Sequence, residues 1–215
     1  DLSKVKLQLD RHLNQELETC YKSPQNAEIY HRIGQIQLMK GEFQNAENSF
    51  RQSLKLLPNN TIIHLNLGET LYKQNKLEDA NEAYSKVITR QPTNIEAHQK
   101  LGMIAQRSKH WDHAIKHLEI SNSLGPNNPL THHYLGLAYH GKGNLAQAIT
   151  AYQMSIRFKP DLVTVYSDLG NAYTEIGKSE IGHMFYQKFI NLAKYHQDLK
   201  GSVEKIRNKI LELEY

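Results

Sequence analysis

The chain has 215 residues, of which 39% are hydrophobic, and its mean hydropathy is -0.63. No apolar run approaches the roughly 18 residues that a membrane-spanning helix needs, so we expect no direct insertion into a membrane. The net charge is only +4, and Lys and Arg alternate with Glu along the chain. A nucleic-acid surface would concentrate basic residues among aromatic ones, so the charge pattern excludes this class of partner. The single cysteine, Cys20, excludes an internal disulfide framework.

The compartment is not fixed by these numbers. The first ten residues lack the apolar core of a signal peptide, which favours a cytoplasmic location. The chain does not begin with Met, so we expect either a processed N-terminus, which would allow a periplasmic location, or a piece of a longer protein.

The first predicted element is one helix over residues 1 to about 22. Its apolar residues are spaced to form a stripe, at Leu9, Leu13, Leu17 and Cys20. Pro24 then ends the helix, because proline cannot sit in a helix interior without losing a hydrogen bond.

A period of 34 residues follows, and we number the positions of each unit from 1 to 34. Position 8 is glycine in all five units: Gly34, Gly68, Gly102, Gly136 and Gly170. Position 24 holds a large side chain in each: Phe50, Tyr84, Leu118, Tyr152 and Tyr186. Position 20 is alanine four times and then Gly182, and position 32 is proline in the first four units. This period predicts five stacked units, 27–60, 61–94, 95–128, 129–162 and 163–196. On the same frame, residues 1–26 are a degenerate half-unit that caps the N-terminal end.

Each unit is predicted to be a pair of helices. Positions 4, 7 and 11 share one face of the first helix, and positions 20, 24 and 27 share one face of the second. Small residues at positions 8 and 20 let the two backbones approach, so that the side chain at position 24 fills the adjoining gap. Asparagine at position 34 can cap the next helix, at Asn60, Asn94 and Asn128. Glycine at position 15 suits a left-handed turn between the paired helices, at Gly41, Gly143 and Gly177. Gly182 is expected to soften its helix, because interior glycine costs about 1 kcal/mol relative to alanine.

Residues 197–215 are predicted to form a last amphipathic helix. Its apolar seam comprises Leu199, Val203, Ile206, Ile210 and Leu213. The seam favours a cap over the fifth unit, since terminal units need a polar outer face. A short coiled coil for self-association is the alternative. Truncation after Lys194 distinguishes them, because removing a cap would cause aggregation and removing a dimer seam would leave a monomer.

The residues at positions 7, 8, 20, 24 and 32 resemble the tetratricopeptide repeat (TPR) family. The resemblance implies an all-α fold, a right-handed superhelical solenoid of helix-turn-helix units whose first helices line a concave groove. It also implies that positions 2, 5, 6, 9, 12 and 13 face that groove. The partner-binding residues implied in this way are Arg32, Gln35, Asn66, Glu69, Lys73, Lys100, Met103, Arg107, Tyr134 and Leu137.

No set of residues predicts catalysis, so we expect no enzymatic activity and no cofactor. Gly141-Lys142-Gly143 lacks the spacing of a phosphate-binding loop and falls at the turn between the two helices of the fourth unit. Cys20 is interpreted as a buried, inert thiol.

Two groups of histidines are candidate metal ligands. One recurs at position 4 and is interpreted as partly buried packing residues: His64, His98 and His132. The other is a cluster on one helix: His110, His113 and His117. The cluster's spacing can hold a divalent transition metal, but positions 16, 19 and 23 are expected on the solvated convex side. An incidental surface cluster is favoured, and metal binding stays open.

The predicted groove is basic in the first three units, apolar and aromatic in the fourth and acidic in the fifth. We therefore predict a non-enzymatic scaffold that binds a peptide or helix of a partner protein in the groove to assemble a complex. Two alternatives are a substrate-recruiting arm of a larger enzyme or of a secretion or pilus-type apparatus, and a scaffold that self-assembles through the groove or the last helix.

Overall fold

The computed structural model describes the backbone of residues 2–213 and the side chains of residues 4–212. Over this range the regular structure is helical throughout, and no strand is formed. The helices are α1 (Leu2–Lys22), α2 (Ala27–Met39), α3 (Phe43–Leu56), α4 (Thr61–Lys73), α5 (Leu77–Arg90), α6 (Ile95–Arg107), α7 (Trp111–Leu124), α8 (Pro129–Gly141), α9 (Leu145–Phe158), α10 (Thr164–Glu175), α11 (Ser179–Ala193) and α12 (Lys200–Leu213). The helices pack in consecutive pairs, which confirms the predicted all-α repeat fold. No helix in the described part of the chain is both long and apolar enough to cross a membrane.

The chain divides into two compact units, Asp1–Ala97 and His98–Tyr215, with the division inside α6. In unit 1, α2 pairs with α3 and α4 pairs with α5, while α1 packs on α2 and α3 packs on α4. In unit 2, α8 pairs with α9 and α10 pairs with α11. Packing of α7 on α8, α9 on α10 and α12 on α11 completes unit 2.

The glycine at position 8 makes room for the side chain at position 24 of the same repeat. A Cβ on Gly136 would lie 2.3 Å from the ring of Tyr152, and one on Gly34 would lie 2.7 Å from the ring of Phe50. Both rings are completely buried. The prediction of a close approach is confirmed, but at position 8 the ring of the second helix, rather than its backbone, occupies the space.

Backbone contact governs position 20 of the last repeat. A Cβ on Gly182 would lie 2.3 Å from the hydroxyl of Thr174 and 2.9 Å from the carbonyl oxygen of Gly170. The helix α11 is nevertheless continuous through Gly182. The residue predicted to soften this helix is therefore one that its packing requires.

The predicted apolar face of the second helix is interrupted at position 27 by a polar residue in several repeats. In three repeats it is a completely buried serine: Ser53, Ser121 and Ser155. The hydroxyls of Ser53 and Ser155 donate to the carbonyl at position 1 of the same repeat. Ser53 bonds Ala27 at 2.6 Å, and Ser155 bonds Pro129 at 2.8 Å. A small polar residue here ties the end of the second helix to the start of the first.

The histidines at position 4 are buried, as predicted, and each has a hydrogen-bonding role. Nε2 of His64 donates to the carbonyl of Pro58 at 2.9 Å, and Nε2 of His132 donates to the carbonyl of Pro126 at 2.7 Å. This hydrogen bond thus connects the proline turn of one repeat to the first helix of the next.

The predicted asparagine caps are confirmed. The side-chain oxygens of Asn60 and Asn128 each accept hydrogen bonds from the amides two and three residues ahead. Asn94 accepts from the amide three residues ahead at 2.9 Å. These bonds satisfy donors that the first turn of a helix leaves unpaired.

The stripe on α1 is shorter than predicted. Leu9, Leu13 and Cys20 pack against the buried isoleucines of α2. Leu17 is 47% exposed and lies outside this cluster, which corrects its assignment to the stripe.

The last helix begins at Lys200, after a 3₁₀ turn over Gln197–Leu199, and not at residue 197. Ile206 and Ile210 are buried in one cluster with Phe189 of α11. The side chain of Leu213, the last residue of the predicted seam, lies outside the described residues. Leu199 and Val203 are partly buried against the same cluster, so the described part of the seam packs within the chain, which favours the cap.

Position 15 adopts a left-handed backbone in all five repeats. Three of these residues are the predicted glycines, with φ of 76°, 86° and 79° at Gly41, Gly143 and Gly177. The other two are Asn75, with φ of 62°, and Lys109, with φ of 59°. Asparagine tolerates this region, whereas in lysine this conformation is unfavourable because Cβ lies too close to the following carbonyl oxygen.

We expect Lys109→Gly to stabilise the protein by about 1 kcal/mol. The left-handed conformation costs a residue with a Cβ roughly 1–2 kcal/mol, and the greater entropy of unfolded glycine offsets part of that gain. Urea unfolding measures the change. The matched control is Ser108→Gly, one residue earlier in the same exposed turn and without positive φ, which should destabilise. Equal effects of the two substitutions would contradict this explanation.

Candidate functional site

The exposed side of the first helix of each pair carries the residues predicted to bind a partner. We call this surface the first-helix face. In unit 1 it is formed by α2 and α4, and in unit 2 by the part of α6 after Ala97 with α8 and α10. Since α2 contacts α4 and α8 contacts α10, residues of neighbouring repeats lie side by side.

On unit 1, a hydrogen bond between repeats fixes Asn66. Its Nδ2 donates to Nε2 of His31 at 2.7 Å. Burial lowers the pKa of His31, so the ring is neutral near pH 7 and Nε2 is free to accept. The amide oxygen of Asn66 is thereby presented in one orientation.

The buried tyrosines at position 24 also organise this face. The hydroxyl of Tyr84 donates to Glu69 at 3.4 Å, and that of Tyr186 donates to Asn171 at 2.8 Å. Burial raises the pKa of Tyr84 far above its ordinary value, so this hydroxyl remains a donor. The ring that fills the space over the glycine therefore positions a polar side chain at position 9 on the surface.

Two of the predicted cations each pair with a carboxylate of the protein and remain partly exposed. Arg32 donates two hydrogen bonds to Glu16, at 2.9 and 3.0 Å, which raise its pKa. This pair ties α1 to α2, and 42% of the Arg32 side chain remains exposed. Lys73 lies 3.4 Å from Glu69 and keeps 45% of its side chain exposed, so it remains accessible.

Exposed apolar side chains accompany Lys73 on unit 1. Met39 is 64% exposed and Ile62 is 57% exposed, while Gln35 is half-buried. Ile62 is absent from the predicted set, although it lies at position 2 and the repeat frame could have identified it.

On unit 2, two histidines of α8 pair with two carboxylates of α10. Nε2 of His133 lies 2.8 Å from Asp168, and Nε2 of His140 lies 3.0 Å from Glu175. The last repeat was predicted to present an acidic surface. Both carboxylates accept hydrogen bonds from the preceding repeat, and the side chain of Glu175 remains 49% exposed.

The remaining predicted residues of unit 2 lie on the same face. Lys100, Met103, Tyr134 and Leu137 are half-buried, and Arg107 is exposed.

Lys209 of α12 also reaches this face, which the sequence analysis missed. Its Nζ donates to the side-chain oxygen of Asn171 at 2.7 Å. No short-range motif signals this contact, because the two residues are brought together only by the docking of α12.

The histidine cluster of α7 is not the surface cluster that was predicted. His110 and His113 are exposed, as expected. Nδ1 of His117, however, lies 3.0 Å from Nδ1 of His98 on α6, which lies inside the helix pair. Burial, as the largest cause, together with the nearby His98 and Lys116 lowers the pKa of His117 to about 4. Among the described residues, no group of three or more metal-ligating side chains is placed to hold a metal ion.

Two other sequence features have structural explanations. Gly141 is the last residue of α8 rather than part of a turn, and a Cβ there would lie 2.7 Å from the ring of Trp111. Lys142 donates to Asp112 at 2.5 Å. Cys20 is a free, half-buried thiol beside Tyr30, and their hydrogen bond is the main cause of the raised pKa of Tyr30.

The sequence and the fold both match known proteins. Residues 12–131 match the family model of the cytochrome c-type biogenesis protein H TPR domain, and residues 138–177 match a TPR repeat model. No curated protein matches the sequence.

A crystal structure of MamA is 28% identical with a TM-score of 0.72, covering 81% of this chain and 95% of that one. MamA from Desulfovibrio magneticus RS-1 is 21% identical with a TM-score of 0.75, and the match covers 80% of this chain and 97% of that one. YrrB, described as a TPR protein with an unusual peptide-binding site, is 15% identical with a TM-score of 0.71. The match covers 84% of this chain and 93% of that one.

The low pKa of His117 predicts a specific loss of stability in acid. Between pH 6.5 and about 4, unfolded His117 is protonated and folded His117 is not. The unfolded state then binds more protons, so the free energy of unfolding falls as the pH falls through this window. His117→Asn removes the titrating ring and keeps a polar group facing His98, so this variant should lose less stability over the same window. Thermal unfolding across the window measures this. His113→Asn, exposed on the same helix, is the control, and a wild-type slope for His117→Asn would refute the assignment.

Proposed function

Because this chain belongs to the tetratricopeptide repeat (TPR) family, we propose that it is a non-enzymatic scaffold for protein interactions. It binds an extended peptide or a helix of a partner protein on the first-helix face and thereby helps to assemble a larger complex.

The observation that carries this proposal is the fixing of polar side chains on the first-helix face by bonds between repeats. Asn66 is held by His31, and Asp168 is held by His133. Side chains already held in one orientation lose little conformational entropy when a ligand binds. Such a surface is suited to recognising the backbone and side chains of a peptide.

The chemistry of unit 1 indicates what its ligand carries. The accessible ammonium of Lys73 suits an acidic side chain or a terminal carboxylate. Met39 and Ile62 are exposed on the same face and would be covered by apolar side chains of the ligand. We therefore expect a segment in which acidic and apolar residues alternate along one side.

The fold of YrrB, a TPR protein with an unusual peptide-binding site, agrees with this mode of recognition. The two alternative roles stay predictions. The full-length gene product would reveal a recruiting arm by an attached catalytic or anchoring segment. Light scattering over a dilution series would detect self-assembly as a mass that rises with concentration.

We expect the double substitution Lys73→Glu with Lys100→Glu to weaken peptide binding at least tenfold, which corresponds to about 1.4 kcal/mol. Reversing two charges replaces attraction for an acidic ligand by repulsion. The probe is a peptide selected from a displayed random library on the whole chain, and fluorescence anisotropy measures its affinity. The melting temperature should not fall.

The matched control is Lys116→Glu with Lys188→Glu, which makes the same charge change at exposed sites on the second helices α7 and α11. This control should bind the peptide as the wild type does. Equal weakening by both double variants would mean that net charge, and not the first-helix face, governs binding.

A further inference from the structure

Unit 1 contains a cavity of about 440 Å³ among α3, α4 and α5. Its uncharged lining is formed by Leu54, Pro58, His64, Leu67, Leu71 and Ala83. Exposed charged side chains of the second helices α3 and α5, among them Lys55 and Asp79, complete the lining. The site is therefore separate from the first-helix face and has the size of small-ligand sites, with an apolar part bordered by charged side chains.

One wall of the cavity carries an unused hydrogen-bond acceptor. His64 is only 5% exposed, and its Nε2 bonds the carbonyl of Pro58. A carbonyl only accepts, so Nε2 carries the proton and Nδ1 presents a lone pair. No protein group in the described part of the chain bonds this buried Nδ1. A buried acceptor left in this state is costly, and such exceptions call for an explanation.

In the third repeat a second histidine meets this nitrogen. There the histidine at position 4 is His98, and its Nδ1 faces Nδ1 of His117 at position 23, with ring centroids 5.2 Å apart. Position 23 of the second repeat is Ala83, which lines the cavity. The substitution of a methyl group for an imidazole thus leaves both a space and an acceptor beside it.

We propose that this cavity binds a planar aromatic group that donates an O–H or N–H hydrogen bond to Nδ1 of His64. The ring of this ligand lies where the imidazole of His117 lies in the third repeat, against the leucines of the lining. Burial lowers the pKa of His64, which keeps Nδ1 an acceptor at neutral pH. A phenol has the required shape and donor, whether as a free small molecule or as the tyrosine side chain of a protein.

The test titrates the whole chain with p-cresol and, separately, with toluene, which has the same shape and no donor. Methyl signals of Leu67, Leu71 and Ala83 are followed by NMR. We expect saturable shifts with both, and at least fivefold tighter binding of p-cresol. Equal affinities would overturn the hydrogen bond, and no saturable shift would mean that the cavity holds only water.

Two variants test the site itself. His64→Tyr should keep the bond to the proline carbonyl, because Tyr166 at the same position of the fifth repeat donates to Pro160 at 2.8 Å. This change removes the acceptor, so p-cresol should bind no better than toluene. Ala83→His should rebuild the pair seen in the third repeat, fill the space and abolish binding of both probes. Retained preference for p-cresol in His64→Tyr would overturn the proposal, even if Ala83→His fails to fold.

The source of the aromatic group is resolved by a third arm. The capped peptide Gly-Tyr-Gly is compared with Gly-Phe-Gly under the same conditions. Tighter binding of the tyrosine peptide, with shifts at the same methyl groups, assigns the cavity to a tyrosine side chain. Binding of p-cresol without the peptide assigns it to a free small molecule.

Discussion

The fold rests on one steric relation, in which a large side chain at position 24 fills the space that a glycine at position 8 leaves in the paired helix. In four of the five repeats that side chain is aromatic, and in the third it is Leu118, whose Cγ would lie 2.4 Å from a Cβ on Gly102. All five side chains are completely buried. The relation sets the distance between paired helices, and position 20, where alanine is completely buried, allows no larger residue.

The same relation reaches the surface chemically. A tyrosine that fills the space ends in a hydroxyl, and this hydroxyl emerges beside position 9, where Glu69 and Asn171 accept from it. Bonds between neighbouring repeats, such as that between His133 and Asp168, act on adjacent residues of the face. Core packing and the polar surface of the first-helix face are therefore coupled, because a change at position 24 alters both the spacing of the helices and the orientation of polar groups above them.

The sequence predicted most of the fold, since Gly, Pro and Asn recur at positions where backbone geometry leaves few choices. It failed where a contact depends on a tertiary neighbour. The pairing of Arg32 with Glu16 was not predicted because no local sequence pattern signals it, and the contact of Lys209 was missed because it depends on the docking of α12. His117 was placed in solvent because helical spacing identifies neighbours on one helix and not the ring of His98 on another. The slot left by Ala83 is likewise visible only when the second repeat is compared with the third in three dimensions.

The most direct measurement is the free energy of unfolding of Gly136→Ala in two backgrounds. With Tyr152 present, the added methyl group overlaps the ring, and overpacking of this kind costs about 1–3 kcal/mol. With Tyr152→Ala the ring is gone, and the same substitution should stabilise by up to about 1 kcal/mol, because alanine is the better helix former. Urea unfolding of the four proteins gives the coupling between the two positions. A change in stability caused by Gly136→Ala that is negative with Tyr152 and positive with Tyr152→Ala supports the account. The same loss of stability in both backgrounds would contradict it.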